Sequence, residues 1–282
     1  APSYWTERLA RPTVRGELIW CQLFSEPSAG SDLASLRLKA VAVEGGWRLS
    51  GQKVWTSWAQ IADWGVIVAR TDPSLPKHAG LTYFFVDMKA PGVSVVPIRR
   101  LGEESDLNEV FFDDVFVPDD QRLGEINGGF KVAVETLMIE RYSVTDESGY
   151  APSLEKFIAL AGQSKINGKR ALDDAEIRAS IVDVFVQRQG LRAIHRQALE
   201  AFAKGQAPGP EGAMRTLLLG RTRQSLSRMA MNIQGPNSLV LNEDSQAKTN
   251  FTSAWLDPSL RIAGGTDELL LNTLAERVLG LP

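Results

Sequence analysis

Glu140 and Arg141 stand side by side on an apolar-periodic run, Phe130 to Val144, in which Phe130, Val134, Leu137 and Met138 fall at i, i+4, i+7 and i+8. This spacing predicts a helix with one buried face. Glu140 lies close to that face. A carboxylate partly buried in an apolar cleft has a raised pKa and becomes a usable base near neutral pH. On spacing alone the simpler reading is two solvated charges on a helix surface. Two small-residue stretches can bring backbone close to a ligand. Glu26-Pro27-Ser28-Ala29-Gly30-Ser31-Asp32 lies between strand-like runs, and Ile262-Ala263-Gly264-Gly265-Thr266-Asp267-Glu268 leads into a helix. Such loops let N–H groups approach a phosphate or a cofactor edge. They are also ordinary tight turns. Trp55, in Gly51-Gln52-Lys53-Val54-Trp55-Thr56-Ser57, offers a large flat surface, or fills a core as most tryptophans do.

The elements that must hold these residues come in two textures. From Glu17 to about Arg122 the pattern is β: Leu36–Val43, Trp47–Gly51, Trp64–Ala69, Leu81–Val86, Val93–Ile98 and Val110–Val117 read as strands, with turns at Glu44-Gly45-Gly46 and Lys89-Ala90-Pro91-Gly92. After Pro118-Asp119-Asp120 the pattern is helical. Beyond the Glu140 run, Ala159–Arg170 reads as a loop. Asp173-Asp174 opens a helix over Ala175 to about Lys204, Ala213–Ile233 is a helix stopped by Gly235-Pro236, Asn237–Ile262 is irregular, and Asp267–Leu279 is the last helix. The expected fold is α+β: residues 1–16 a helix end and connector, 17–122 an antiparallel β-barrel or sandwich, and 123–282 a helical bundle of four-helix type. Strands followed by helices argue against a doubly wound nucleotide fold, and no Gly-x-Gly-x-x-Gly stands between a strand and a helix.

Composition narrows the function classes. A net charge of −3 gives no footprint for nucleic acid or an anionic membrane. One cysteine, Cys21, excludes an internal disulfide, and two histidines far apart in sequence, His78 and His195, suggest no metal site. No apolar run approaches the roughly 20 residues of a membrane span. Glu7, Arg8, Arg11, Arg15 and Glu17 stand where a signal peptide would be apolar, so a cytoplasmic location is the default expectation.

Taken together, Glu26–Asp32, Gly51–Ser57, Ile139-Glu140-Arg141 and Gly264-Gly265-Thr266 resemble the acyl-CoA dehydrogenase family over nearly the whole chain, from about residue 3 to 282. The resemblance implies FAD as cofactor. It places Trp55 over one side of the isoalloxazine, Thr56 and Ser57 at its ring edge, and Phe24, Ser25, Gly30 and Ser31 along the flavin and its phosphates. Thr266 and Glu268 fall at further FAD-contact positions, while Ser31 and Arg141 fall where the family meets the CoA moiety. The implied reaction is α,β-dehydrogenation of an acyl-CoA thioester, with electrons passed to an electron-transfer flavoprotein. Most of the family carries its base immediately before Gly-Thr; Gly264 holds that position here. A minority carries it on the earlier helix, at the position of Glu140. Glu140 is therefore the implied base, and the Gly264 backbone N–H the implied donor to the thioester carbonyl.

Three departures bear on the assembly. Lys165-Ile166-Asn167-Gly168-Lys169-Arg170 stands in the region where the family has Arg-x-x-Phe-Gly, and Asn232-Ile233-Gln234-Gly235-Pro236 replaces Gln-apolar-apolar-Gly-Gly. Both motifs reach the FAD of a neighbouring subunit. Relative to the family, the chain also lacks most of the N-terminal helical domain. A homo- or hetero-oligomer is expected, with the apolar runs Leu217–Leu219 and Leu269–Leu271 as candidate interface. Two other functions fit the same residues: a flavin-poor, non-catalytic subunit of a heteromeric dehydrogenase, and a relative with other flavin oxidation chemistry.

Overall fold

The computed structural model describes residues 2–100, 106–143, 153–206, 209, 211–239, 251–252, 254–256 and 261–282. They form two compact units, divided within one helix between Thr136 and Leu137. The first unit is built on an eight-stranded sheet, β1 (Trp20–Leu23), β2 (Lys39–Val43), β3 (Gly46–Ser57), β4 (Trp64–Arg70), β5 (Leu81–Asp87), β6 (Val93–Pro97), β7 (Leu107–Pro118) and β8 (Arg122–Leu123). Their order across the sheet is β6-β7-β3-β2-β4-β5-β8, with β1 beside β4. Most pairings are antiparallel, but β1 runs parallel to β4, in register from Trp20 with Trp64 to Leu23 with Ile67, and β2 meets β4 in parallel at Lys39 and Arg70. The sheet is therefore mixed at its centre.

The reason is burial. β5 is closed off on both faces over Leu81–Val86, and Ile67, Val68 and Ala69 of β4 are fully buried. Strands buried on both faces tolerate parallel neighbours because neither side needs polar residues. The main core gathers Leu23, Leu38, Leu49, Ile67, Phe84, Val110, Phe112, Val115 and Val117. A separate aromatic cluster docks α1 (Ser3–Val14) onto the sheet: Trp5 meets Phe85 edge-on at 5.1 Å and Trp64 at 5.7 Å.

The helix α2 (Gly129–Ser143) leaves this unit and enters the second. Its start is pressed against β5. A Cβ at Gly129 would lie 2.5 Å from Thr82 C and Tyr83 N, so only glycine allows this approach. Tyr83 Oη and Thr136 Oγ1 share a hydrogen bond of 3.1 Å that fixes the next turns.

In the second unit, α3 (Leu154–Gln163), α4 (Ala175–Ala203) and, last in the chain, α6 (Asp267–Arg277) each pack against α5 (Glu211–Gln234). The expected loop over Ala159–Arg170 is instead the end of α3 followed by a hairpin, β9 (Lys165–Ile166) and β10 (Lys169–Arg170). Asn167 and Gly168 both have positive φ, 51° and 79°, which is the backbone of a two-residue primed turn. Asp174 caps α4 as expected, accepting from Glu176 N and Ile177 N. Leu217 and Leu219 are buried, and Leu217 packs with Leu270; Leu269 and Leu271 remain exposed. Most of Asn237–Ile262 lies outside the described residues. No helix among them is long and apolar enough to cross a membrane.

Candidate active site

Two constellations carry chemistry, one in each unit. In the first unit, the segment after β1 closes on itself: Glu26 N donates to Ala29 O at 2.9 Å and Ala29 N to Glu26 O at 3.0 Å. This turns Ala29 inward and leaves Ser28, Gly30 and Ser31 exposed. Gly30 has no protein atom within 4 Å of where a Cβ would stand, and its φ is not positive. The protein itself gives no reason for a glycine there, which is what a closely approaching ligand would require. Asp32 is tied to Lys77 at 2.9 Å and to Ser35, and the Lys77 bond, followed by that of Ser35, holds its carboxyl below the usual range.

On β3 the pairing with β7 shifts register between Lys53 and Thr56, and Trp55 takes a left-handed φ of 60° inside this bulge. Left-handed backbone is strained for a bulky residue and clusters at functional sites. Its result is a tryptophan 58% exposed two residues before the end of the strand. Ser57 is exposed beside it. Thr56 differs from the expectation of a ring-edge contact. The strand turns it inward to 1% exposure, and its Oγ1 is closed off from solvent without a hydrogen-bond partner among the described residues. Phe24 is also buried, its ring edge-on to Tyr83 at 5.8 Å, and Ser25 holds β3 through Val54 N at 2.9 Å. Behind Thr56, the buried Asn108 amide donates to Thr56 O at 3.0 Å, Gln60 Oε1 at 2.6 Å and Asp106 O at 3.0 Å.

A buried ion pair lies beneath both segments. Lys53 Nζ, wholly inside, donates to Glu26 Oε1 at 2.9 Å, Phe24 O at 3.0 Å and Val68 O at 2.8 Å. Burial pushes this ammonium down to about 8, against the opposing pull of Glu26. Cys21 is no candidate nucleophile: burial pushes its thiol up to about 12. No cluster of His, Cys, Asp or Glu able to hold a metal occurs among the described residues.

In the second unit, Glu140 is half-buried near the end of α2, and Arg141 follows on the same helix, its side chain outside the described residues. Gly264 and Gly265 have φ of 72° and 115°, a conformation that favours glycine. Around Gly264 the nearest group to a Cβ would be the Thr216 methyl at 3.8 Å. Thr266 caps α6, accepting from Leu269 N at 3.3 Å, while Glu268 is exposed in the first turn. The sequence reading missed what anchors this turn. Buried Asp267 accepts from Arg221 Nε at 3.1 Å and from Arg261, whose other nitrogen donates to Gln224 Oε1 at 2.8 Å. The Arg261 bond, with help from Arg221, holds the Asp267 carboxyl below the usual range.

Comparison with known families gives these two constellations a shared context. Residues 21–115 match the family model for the acyl-CoA dehydrogenase middle domain, and residues 127–279 match that for the acyl-CoA dehydrogenase C-terminal domain. The chain belongs to the acyl-CoA dehydrogenase family. It is 44% identical to acyl-CoA dehydrogenase FadE34 of Mycobacterium tuberculosis, over 98% of this chain but 37% of that protein. Acyl-CoA dehydrogenase IpdE1 of the same organism is 36% identical, over 94% of this chain and 67% of the relative. The solved ChsE4-ChsE5 complex from M. tuberculosis superimposes with a TM-score of 0.81 at 26% identity, covering 98% of this chain and 73% of that one. The chain therefore spans only part of each relative's length. Acyl-CoA dehydrogenases use FAD. The exposed Gly30, Ser31, Trp55 and Ser57 suit a planar cofactor with a phosphate tail.

Proposed function

We propose that the chain supplies FAD-binding and base residues for α,β-dehydrogenation of an acyl-CoA thioester. What supports this reading is that α2 carries a half-buried carboxylate, Glu140, while position 264 is a left-handed glycine. Gly30, Ser31, Trp55 and Ser57 would hold FAD in the first unit, with Phe24, Ser25 and Thr56 supporting them from behind. The family resemblance also gives Thr266 and Glu268 as FAD-contact positions. FAD, when bound, supplies the acceptor for the hydride that leaves C3. Glu140 would take the C2 proton on a carboxylate oxygen, so proton and hydride depart from adjacent carbons and leave a double bond. The backbone N–H of Gly264 would donate to the thioester carbonyl, where negative charge develops. Ser31 and Arg141 would meet the CoA moiety. An electron-transfer flavoprotein is the expected acceptor protein.

The test is anaerobic titration of the flavin-loaded protein with a panel of acyl-CoAs. Glu140→Gln should retain FAD and acyl-CoA yet bleach the flavin roughly 10² to 10⁴ times more slowly, the usual cost of removing a general base. Bleaching at the wild-type rate would remove Glu140 from this role. A second reading, a flavin-poor subunit supporting a partner, is favoured by the hairpin Lys165–Arg170 in the region of the family's Arg-x-x-Phe-Gly. A colourless protein that takes up no FAD would support it.

A further inference from the structure

The ion pair of Lys53 and Glu26 joins segments that are distant in sequence. Lys53 sits on β3, two residues before Trp55, and reaches the end of β1 at Phe24 O and β4 at Val68 O. Glu26 lies in the turn that exposes Gly30, and also receives Arg37 N at 2.6 Å and Leu38 N at 2.9 Å from the segment ahead of β2. All three ammonium protons and both carboxylate oxygens are therefore used. A buried pair so well satisfied is seldom needed for stability, since apolar residues of similar volume often do as well. What an apolar pair cannot do is fix the direction of several separate backbones at once. Two of the joined stretches, Phe24–Glu26 and Lys53 on β3, lead directly into the segments that expose Gly30, Ser31, Trp55 and Ser57, while Val68 on β4 and the Arg37–Leu38 stretch anchor them.

We propose that Lys53 and Glu26 are positioning residues, a clamp that sets the Ser25–Ser31 turn and the Trp55 bulge at the separation a bound flavin requires. The proposal rests on the FAD reading above. Neither side chain touches the cofactor in this role. The bonds that depend on the clamp without belonging to it are Val54 N to Ser25 O at 2.9 Å and Ala29 N to Glu26 O at 3.0 Å. On the β4–β5 pair the clamp touches Val68, but none of the bonds of Lys53 or Glu26 involves Val66 or Phe85, which stand opposite one another.

The test uses the full chain carrying Glu26→Gln with Lys53→Met, which removes both charges together. Without flavin, amide hydrogen exchange at Val54 and Ala29 should quicken about tenfold while Val66 and Phe85 stay unchanged. On FAD titration, the dissociation constant should rise about tenfold. A merely structural pair would loosen all four amides alike or none, and either result overturns the clamp. So does unchanged FAD affinity beside loosened amides. If the paired variant does not fold, Glu26→Asp keeps the charge and withdraws the carboxylate by one methylene. It must then show the same local exchange and weakened FAD; unchanged exchange overturns the proposal. If wild-type protein takes up no FAD while the exchange pattern holds, the flavin reading has failed rather than the coupling between the two segments.

Discussion

Gly30→Ala separates what the protein needs from what its ligand needs. The substitution adds one methyl group where no protein atom lies within 4 Å, at a residue whose φ is not left-handed. Without flavin the variant should be no less stable than wild type. Loss of chain freedom in the unfolded state should stabilise it by about 0.4–1 kcal/mol. At roughly 2–4 °C per kcal/mol for a chain of this size, its melting temperature should rise by about 1–4 °C. With flavin the balance reverses. A methyl group forced against a closely held cofactor acts like overpacking, costing about 1–3 kcal/mol. That corresponds to FAD binding weaker by roughly 5- to 150-fold. The assays are thermal unfolding of flavin-free protein and a FAD titration followed by flavin fluorescence. Unchanged FAD affinity would refute the placing of the cofactor at this turn. A lower melting temperature without flavin would show that the turn itself requires glycine.

Gly129→Ala should behave in the opposite way: its Cβ meets β5 backbone at 2.5 Å, so a cost of about 1–3 kcal/mol outweighs the helix-propensity gain of at most about 1 kcal/mol. A melting temperature that fails to fall would contradict the close approach of α2 to β5. Trp55→Ala should weaken flavin retention and electron transfer to the acceptor protein, and unchanged flavin content with an unchanged rate would argue against the indole as a cofactor contact. Asp267 has a depressed folded pKa, so its contribution is present above the ordinary carboxylate value near pH 4 and is lost as pH falls through the folded pKa. Asp267→Asn should cost about 1–2 kcal/mol at neutral pH and flatten the acid limb of stability below about pH 4; an unchanged acid limb would remove Asp267 from that balance.

The strands were legible because their burial is written in their composition. Trp64–Ala69 is a continuous apolar run and Leu81–Val86 is interrupted only by Thr82, and both are strands at those positions. β1 was legible only as a strand-like run of unstated bounds ahead of Glu26, since Trp20–Leu23 is short and pairs in parallel with a strand far along the chain. The Ala159–Arg170 region carried its own signal, Asn167-Gly168, but Gly162 disguised the helix end before it. At the candidate site, the small-residue turn and Trp55 could be read directly. Which side of β3 Thr56 faces could not, because the bulge at Trp55 resets the alternation. Asn108, Asp267 and the Lys53–Glu26 pair escaped for a common reason: letters do not tell which polar groups find partners inside.

The fully buried pair also shapes how this protein can change over generations. Replacing Lys53 alone would strand a carboxylate beneath three backbone segments, and replacing Glu26 alone would strand an ammonium with only carbonyls for company. Each intermediate passes through a buried charge without its counter-ion, which typically costs about 3–5 kcal/mol, a large part of a domain's whole stability. The two codons are thus locked to one another: drift can reach a different pair only by crossing a fitness valley or by altering both positions together. Lineages descending from this sequence should keep or lose the two residues as a unit, whatever happens to the surface around them.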